Sequence, residues 1–486
     1  MWRGRICRWM SRGVSAALLI CFGGSSAVRA AVIQVPAQFP GIQAAINAAS
    51  NGDTVLVSRG TWAGGLSIGG KAITLASRFI LTGDPNDVAL TSIEGGSPLL
   101  DIQSSAGAAT TVRGLTFRNG DYQINVHARR MSLLDNRFIN GSADQVSFEG
   151  GGGLVRKNYF EHASDDAIDS DNSSDPTIEQ NTIKDCGDDG IEIRLHAYTG
   201  PTLDIVIRDN VITGCGEDGI QLIDYAGASN RMIRIERNVL AGNAKAALGT
   251  MADGNTTENY AGAPMVEEVR VIGNTFSGST HGLTGGDNML VMNNIFVGAT
   301  TFGVKRVAGS SLVTYNDFWG NATHHTGSNV DLGTTLFQDP MLDANLHLRT
   351  GSPCIDAGAA SVVWNGNTVS APVFSGAAPD LGALETGGPP LPVELPSATG
   401  GLALAGVWPN PSRSGFAITL TLADASPARL EVLDLAGRRL LTRDLDRLGP
   451  GRHVVGLDEA RALPPGVYLL RLSQAGQTRS RRAVVR

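Results

Sequence analysis

The sequence is poor in aromatic residues and cysteines, and after its first thirty residues it has no apolar run of membrane-spanning length. Aromatic residues occupy 6% of the 486 positions, whereas 61 positions are glycine, a composition that suits many tight turns. Of the five cysteines, two precede residue 30, so a disulfide framework is excluded. A nucleotide-binding fingerprint, zinc-ligand spacing and a nucleophile elbow are also missing, which sets aside dinucleotide and serine-hydrolase chemistry. We expect no transmembrane segment.

Basic residues are outnumbered by acidic ones once the N-terminal segment is set aside. Residues 1–30 hold five of the 39 lysines and arginines and no acid, and they are predicted to be a signal peptide. The basic start, the short apolar stretch VSAALLICF and the small residues up to Ala30 are typical of such a leader. Its removal changes the formal net charge from −7 to −12. A chain this acidic disfavours nucleic acid as a partner and favours cations.

A short phrase recurs along the chain with an asparagine at its centre, as in LLDNRFING, IRDNVITGC and VMNNIFVGA. The asparagines recur with a basal period near 22 residues, at Asn136, Asn158, Asn181, Asn210, Asn238, Asn274, Asn294 and Asn316. Apolar and polar residues alternate around them, which indicates strands. The pattern predicts a solenoid of β-coils in which the asparagine side chains form an internal ladder. Cys186 and Cys215 share offset +5 on adjacent coils, which leaves a disulfide and two reduced core thiols both open.

These repeats resemble right-handed parallel β-helix proteins of the pectate-lyase-like kind, over roughly residues 32–386. FPGIQAAINAASNGDTVLVSRGTW is similar to their N-terminal segment, in which a short amphipathic helix caps the open end. FQDPMLDANLHLRTGSPCIDAG followed by PDLGALE is similar to the C-terminal segment of bacterial members. The resemblance implies an all-β protein with a right-handed, single-stranded parallel β-helix over residues 31–386. We expect a monomer.

A linker rich in proline and glycine, GGPPLPVELPSATG (residues 387–400), precedes a second predicted domain. Residues 401–486 contain short alternating strands separated by turns, the pattern of a small immunoglobulin-like β-sandwich. The PNP and GVY motifs and the basic C-terminus resemble the tails of type-nine-secreted proteins and of flagellar hook-cap proteins. The resemblance implies a sorting domain, with secretion or outer-surface attachment on a Gram-negative-type bacterium.

Acidic residues recur at fixed offsets from the ladder asparagines. At offset +8 lie Asp144, Asp166, Asp189 and Asp218. At offset +7 lie Asp165, Asp188 and Glu217, and at offset +11 lie Asp169 and Glu192. Because adjacent coils lie about 4.8 Å apart, we expect these carboxylates to form one outward-facing stripe. Two unit charges 5 Å apart cost on the order of 3 kcal/mol at an effective dielectric constant of about 20. A bound divalent cation would remove that cost.

Three consecutive coils carry extra residues immediately after this stripe. The additional segments, LHAYTGPT, DYAGASN and MADGNTTENYAGAPM, begin at equivalent positions of their coils. Insertions at one edge of a solenoid build a wall, and a groove with a wall and a charged floor suits a linear polymer. We expect four ring-bearing side chains of the wall to stack on sugar rings: His196, Tyr198, Tyr225 and Tyr260.

The DDAID motif at residues 165–169, preceded one coil earlier by Asp144, resembles the calcium site of family-nine pectate lyases. The resemblance implies that Ca²⁺ is held by the aspartates of this motif, and oxygen-rich clusters suit that ion. The predicted metal ligands on these coils and the next are Asp144, Asp165, Asp166, Asp169, Asp188, Asp189 and Glu192. The motif departs from the family at Ala167 and Ile168, where a glycine–aromatic pair is usual.

In such lyases Ca²⁺ bridges to a uronate carboxylate and acidifies the C5 proton, which a lysine or arginine removes for β-elimination. No lysine lies at the usual place, one or two coils further on. The available bases are Arg194, outward on the adjoining coil, and Lys245, in the +7 column. The leading prediction is therefore calcium-dependent β-elimination of an acidic polysaccharide.

Two other functions stay open. GDDGIEI and the His281–Gly282 pair resemble polygalacturonase motifs, and an inverting pair of carboxyls roughly 6.5–9.5 Å apart could come from Asp166 with Asp189 or Asp218. His281, however, is about three coils from Asp189, too far to share that chemistry. The other alternative is a surface-displayed carbohydrate-binding or structural solenoid without turnover, because Asp–Gly turns also occur in β-helices that have no catalytic site.

Overall fold

The computed structural model describes residues 30–387 and, in the C-terminal part, residues 402–408, 416–423, 426–434, 437–445, 451–457, 461 and 463–485. Nearly all of the predicted signal peptide and of the predicted linker lies outside these residues. Residues 32–326 wind into a parallel β-helix whose coils contribute to three long sheets of twelve, eleven and eleven strands. The predicted β-solenoid is confirmed.

The three sheets run the length of the solenoid. Sheet A consists of β1 (Val32–Val35), β2 (Thr54–Val57), β5 (Thr74–Ser77), β8 (Thr111–Arg113), β11 (Met131–Leu134), β14 (Gly153–Arg156), β17 (Thr177–Glu179), β20 (Tyr198–Arg208), β23 (Ser229–Glu236), β26 (Glu268–Ile272), β29 (Met289–Met292) and β32 (Leu312–Thr314). Sheet B consists of β3 (Gly60–Ala63), β6 (Thr91–Glu94), β9 (Thr116–Arg118), β12 (Arg137–Ile139), β15 (Tyr159–Glu161), β18 (Thr182–Lys184), β21 (Val211–Thr213), β24 (Val239–Ala241), β27 (Thr275–Ser277), β30 (Ile295–Val297) and β33 (Asp317–Trp319). Sheet C consists of β4 (Leu66–Ile68), β7 (Leu100–Ile102), β10 (Ile124–Val126), β13 (Val146–Glu149), β16 (Ile168–Asp171), β19 (Ile191–Leu195), β22 (Ile220–Asp224), β25 (Ala246–Met251), β28 (His281–Thr284), β31 (Phe302–Lys305) and β34 (Thr323–Thr326).

The ladder asparagines lie inside the solenoid at the turn between sheets A and B. From Asn136 to Asn316, each side-chain Nδ2 donates to the Oδ1 atom of the next asparagine at 2.9–3.1 Å. Each Oδ1 also accepts the backbone N–H of the preceding asparagine, as Asn210 does from Asn181 at 2.9 Å. A buried turn therefore satisfies its own polar groups without water, and the predicted internal ladder is confirmed.

Inward-facing side chains stack on their equivalents in the neighbouring coils. Ile168, Ile191 and Ile220 are paired in register in sheet C and are fully buried. Phenylalanines stack in the same way in sheet B, with ring centroids 4.6 Å apart for Phe138 and Phe160. Such columns fix the vertical register, because a slip of one residue would turn every apolar side chain outward. Cys186 and Cys215 are free and buried in this core. Of the two alternatives that the sequence left open, a disulfide and two reduced thiols, the structure has the reduced thiols.

A helix covers the N-terminal end of the solenoid, and further segments pack on its outer faces. Helix α1 (Ile42–Ala48) packs Ile42 and Ile46 against the first coils, which confirms the predicted cap. Two short helices, α2 (Phe79–Thr82) and α3 (Pro85–Ala89), form an excursion between β5 and β6. After β34 the chain forms the antiparallel hairpin β35 (Ser361–Trp364) and β36 (Asn367–Ser370), and it then returns along the outside of sheet B.

The C-terminal part consists of two antiparallel sheets that share one apolar core. One sheet contains β37 (Ala403–Trp408), β38 (Phe416–Leu422) and β41 (Gly451–Leu457), and the other contains β39 (Ala428–Leu433), β40 (Arg439–Asp444), β42 (Gly466–Gln474) and β43 (Gln477–Val485). Side chains from both sheets, such as Ile418, Leu430 and Leu470, are buried together. This arrangement is the predicted β-sandwich.

The predicted wall is an extension of sheet A. Strand β20 is eleven residues long and β23 is eight, against three or four in most coils. They pair at Tyr198 with Ser229 and, after a register shift, from Leu203 with Arg231 to Arg208 with Glu236. Residues 252–267 form a longer excursion after β25. The three insertions therefore stand together at the edge between sheets C and A, beside the outer face of sheet C.

Candidate functional site

The +8 aspartates form a buried ladder on the turn that leads into sheet C. Asp144 accepts the backbone N–H of Asp166 at 3.2 Å, Asp166 accepts that of Asp189 at 2.8 Å, and Asp189 accepts that of Asp218 at 2.6 Å. The vertical alignment is as predicted. The outward orientation is wrong for these residues, which are buried, because one oxygen of each carboxylate serves the backbone of the next coil.

The +11 residues stack in register on the outer face of sheet C. The column, which we call the oxygen column, consists of Asp101, Asn125, Ser147, Asp169, Glu192 and Gln221. Buried side-chain oxygens in it lack a hydrogen-bond donor at four positions: Asp101, Asn125, Asp169 and Gln221. A buried acceptor without a donor costs free energy. This face is therefore suited to a ligand that brings positive charge or hydroxyl groups.

Two groups of three carboxylates meet where the ladder and the oxygen column adjoin. One oxygen from each of Asp144, Asp165 and Asp166 lies within 4.8 Å of the others, and the same holds for Asp166, Asp169 and Glu192. We call these five residues the Asp166 cluster. Five of the seven predicted ligands are thus brought together, with only oxygen donors, as a hard divalent cation requires. The buried Oδ1 atom of Asp169 has no hydrogen-bond donor, although the Arg194 Nε atom lies 3.9 Å from it.

The other two predicted ligands lie elsewhere. Asp188 belongs to a separate group with Glu217 and Glu258, again with oxygens within 4.8 Å of one another. This second group already contains a cation, because the Lys245 Nζ atom lies 2.6 Å from Glu258 and 3.1 Å from Glu217. Asp189 belongs to neither group and has its place in the ladder.

Burial and mutual repulsion raise the carboxyl pKa values of four acids in the Asp166 cluster, namely Asp144, Asp166, Asp169 and Glu192. Burial raises the pKa of Asp144 to about 7, and burial followed by the charge of Glu192 holds the pKa of Asp166 well above its usual range. Burial followed by the charge of Asp171 does the same for Asp169. Clustered carboxyls with raised pKa values share protons when no cation is present. A divalent ion can take the place of those protons.

Both predicted bases are ion-paired. The Arg194 Nε atom lies 2.5 Å from Glu192 and 3.6 Å from Asp171. Burial lowers the pKa of Arg194, but the Glu192 carboxylate raises it by more, so the pKa lies above its ordinary value. For Lys245 the effect of burial is likewise exceeded by hydrogen bonds to Glu258 and Glu217, and the pKa is raised. Neither side chain is set up as a neutral proton acceptor.

Three of the four predicted wall residues are accessible. His196 and Tyr225 are half-buried, with ring centroids 4.3 Å apart, and Tyr198 is half-buried on the extension of sheet A. The buried Arg231 fixes this edge by donating to the backbone oxygens of His196 and Asn172. The wall therefore presents rings beside the oxygen column, as a sugar-binding rim requires.

Tyr260, the fourth predicted wall residue, does not face the groove. Its side chain is buried against Ile223 and Met251, and its hydroxyl donates to Asp218 Oδ1 at 2.5 Å. The stacking prediction is wrong for this residue, because the excursion folds inward and covers the end of the aspartate ladder. Its function is to satisfy a buried carboxylate.

Replacing Tyr260 with phenylalanine is expected to lower the free energy of unfolding by about 1–3 kcal/mol at pH 8. The ring packing stays, but Asp218 loses a donor, and its Oδ2 atom already lacks one. Urea unfolding measures the change. Tyr225→Phe is the matched control, because its hydroxyl makes no hydrogen bond among the described residues, and its stability is expected to stay within about 0.5 kcal/mol. Equal losses in the two variants would contradict the assignment.

Two residues of the site were not predicted. Glu258 lies within the 252–267 excursion, which has no ladder asparagine to fix its register. Tyr122, by contrast, lies one coil before Asp144 in the column of the aspartate ladder, since Ile124 pairs with Val146. It is 39% exposed, and the Asp144 carboxylate raises the pKa of its hydroxyl. Leu115 occupies the ladder position of that coil in place of an asparagine, so counting eight residues from it leads to Gln123 and misses Tyr122.

Family models match both parts of the chain. Residues 101–261 match the right handed beta helix region, and residues 406–486 match the secretion system C-terminal sorting domain. The chain is thus a right-handed β-helix protein that carries a C-terminal sorting domain, as the sequence predicted. The sorting domain marks it as secreted or attached to the cell surface. No curated protein matches the chain.

Several solved structures are similar to the chain at low identity. The A-module of the Azotobacter vinelandii mannuronan C-5 epimerase AlgE4 is 13% identical, with 60% of this chain and 92% of that chain covered and a TM-score of 0.35. The PL6 family alginate lyase AlyGC is 16% identical, with 62% and 50% covered and a TM-score of 0.38. The Siphovirus 9NA tailspike receptor binding domain is 10% identical, with 93% and 98% covered and a TM-score of 0.28. The chain spans about half the length of the lyase.

None of the helices in the described part of the chain is long and apolar enough to cross a bilayer.

Proposed function

We propose that the protein binds an acidic polysaccharide outside the cell, along the outer face of sheet C, through Ca²⁺ held by the Asp166 cluster. The observation that carries the proposal is the cluster itself, five carboxylates that include a buried Asp169 oxygen without a donor. Six or more oxygens at flexible distances are what Ca²⁺ takes from proteins, and sugar carboxylates and hydroxyls can complete the set. A type-nine export route would bring the protein to the surface of a Gram-negative bacterium.

Dependence on the cation follows from charge. The outer face of sheet C and the proposed polymer are both negative, so they repel each other in the absence of a bridging ion. With Ca²⁺ bound, the same face attracts carboxylates and binds them in a fixed register. The stacked oxygen column and the wall rings then contact successive sugar units along the solenoid axis.

Binding without turnover is the function that the geometry supports best, because both predicted bases are protonated and paired. β-Elimination is the second candidate, and the position of Arg194 favours it. Its partner Glu192 is also a candidate ligand, so a bound cation would draw Glu192 away and leave Arg194 beside the substrate. Hydrolysis has less support, because Asp166, Asp189 and Asp218 all accept backbone N–H groups in the ladder.

Calcium-dependent binding is expected with at least one member of a panel of polygalacturonate, polymannuronate and polyguluronate. Calorimetry in Ca²⁺ and in EDTA measures affinity, and ultraviolet absorbance and reducing-end assays detect unsaturated and hydrolysed products. Binding that EDTA abolishes, without products, supports the proposal. A calcium-dependent rise in absorbance would select β-elimination, and reducing ends without absorbance would select hydrolysis. Equal affinity in Ca²⁺ and EDTA would contradict the proposed site.

A further inference from the structure

The column of the aspartate ladder continues, in the register of sheet C, beyond Asp218. Ala246 donates its N–H to Asp218 at 2.6 Å and pairs in sheet C with His281, which pairs in turn with Phe302. The rings of His281 and Phe302 are stacked, with centroids 5.5 Å apart and an interplanar angle of 15°. The column that carries the ladder carboxylates therefore continues, towards the C-terminal end of the solenoid, as an aromatic platform.

Two cations without carboxylate partners accompany this platform. The Lys305 Nζ atom lies 5.4 Å from the centroid of the Phe302 ring, and Lys305 is followed directly by the exposed Arg306. Neither forms an ion pair with any described residue, although most other basic side chains along sheet C do so. Burial and the charge of Arg306 lower the pKa of Lys305. In a chain with a net charge of −7, two adjacent unpaired cations are conspicuous, since each would gain from an anionic partner.

The 252–267 excursion borders this place as well as the acidic site. Arg306 packs against Gly262, where an added β-carbon would come within 3.3 Å of the Arg306 Cδ atom. The excursion also pairs at Ala263 with Gly286, in the coil below Arg306. One segment thus bounds both the Glu258 end and the Phe302 end of the same surface.

We infer that Phe302, Lys305 and Arg306 form a distal subsite that binds a carboxylate-bearing sugar unit of the polymer. The half-buried ring of Phe302 offers its accessible apolar part to a pyranose, and the two cations bind its carboxylate directly, without a metal ion. A neutral sugar would leave both cations unpaired, so the subsite selects uronate-type units. The inference rests on the proposed function and extends it from one cation site to a polymer of defined minimum length.

The distance between the Asp166 cluster and the distal subsite sets the minimum length of the polymer. Strands β19 and β31 are four steps apart in sheet C, so Phe302 lies about 19 Å along the solenoid from Glu192. A disaccharide bound at the Asp166 cluster cannot reach that far, whereas an oligomer of several units can. Lys305 and Arg306 should therefore contribute to the binding of long oligomers and not to that of short ones.

The test compares a dimer and an octamer of the uronate that binds most tightly in the panel, in saturating Ca²⁺. Lys305→Gln with Arg306→Gln is expected to weaken octamer binding about tenfold, to leave dimer binding unchanged and to leave the Ca²⁺ affinity without sugar unchanged. Phe302→Leu should weaken octamer binding in the same selective way. Lys157→Gln with Arg349→Gln removes two cations away from sheet C and is expected to change neither affinity.

Unchanged octamer binding in the Lys305 and Arg306 variant, with normal binding by the unmodified protein, would overturn the distal subsite and leave the proposed function intact. Equal weakening of dimer and octamer would also overturn it, because the two residues would then act through the cation site. If the unmodified protein binds Ca²⁺ but no oligomer of either length, the proposed function fails and the subsite fails with it.

Discussion

Replacing Asp166 with asparagine is expected to lower the affinity for Ca²⁺ at least about a hundredfold, which corresponds to about 2.8 kcal/mol. Asp166 is the one residue shared by both groups of the cluster, so its loss removes a charge from each. The asparagine carbonyl can still accept the Asp189 N–H that the carboxylate accepts at 2.8 Å. The substitution therefore removes charge and keeps the ladder, and isothermal calorimetry of the metal-free protein measures the affinity.

Asp189→Asn is the matched control for this experiment. Asp189 is the next member of the same ladder, is as deeply buried and accepts an equivalent N–H, but it lies in neither carboxylate group. Its substitution is expected to change Ca²⁺ affinity less than about threefold. Unchanged binding in Asp166→Asn, or an equal loss in Asp189→Asn, would show that the cation does not bind at the cluster.

The sequence was sufficient to predict the solenoid because its repeat is a physical register. The asparagines in the turns of successive coils bond to one another as well as to the backbone, so Asn136 to Asn316 align the coils by themselves. Once the coils are aligned, the alternation in IEI of β19 decides that Ile191 and Ile193 face inward and Glu192 outward. The pairing of Asp169 with Glu192, and hence the oxygen column, follows from that register.

The rest of the site depends on bonds that spacing does not encode. Offset +8 places Asp189 and Asp218 in one column. It does not show whether their oxygens face solvent or accept a backbone N–H from the next coil. The insertions have no ladder residue, so neither the burial of Tyr260 nor the contact of Glu258 with Lys245 could be derived from counting. Position along a regular coil is predictable, whereas the fold of an excursion is decided by its packing.

The metal-free protein is expected to be less stable at pH 8 than at pH 5. Burial raises the pKa of Asp144 and of Asp218 from 3.8 to about 7. A carboxyl with a raised folded-state pKa binds its proton more tightly in the folded chain than in the unfolded chain. Its contribution to stability is therefore complete below about pH 4, declines as the pH rises towards 7, and is lost above that. Each such group accounts for on the order of 4 kcal/mol over the whole range.

Two histidines act in the opposite direction and limit the net change. Burial lowers the pKa of His281 and of His324, so the unfolded chain binds their protons more tightly, and their contribution rises with pH up to about 6.5 and is constant above it. Urea unfolding in EDTA at pH 5 and pH 8 measures the balance. We expect the carboxyls to dominate, since several members of the Asp166 cluster also have raised pKa values.

Adding Ca²⁺ and substituting Asp218 separate the contributions of Asp144 and Asp218 to the pH dependence of stability. At pH 8, Ca²⁺ is expected to recover the part due to Asp144, which lies in the cluster, and not the part due to Asp218, which lies outside it. Asp218→Asn keeps the acceptor for Ala246 and Tyr260, so it should reduce the loss between pH 5 and pH 8 without altering the stabilisation by Ca²⁺. Equal stability at the two pH values in EDTA would mean that the ladder carboxylates are already neutralised. In that case the charge that makes this face a cation site would be absent.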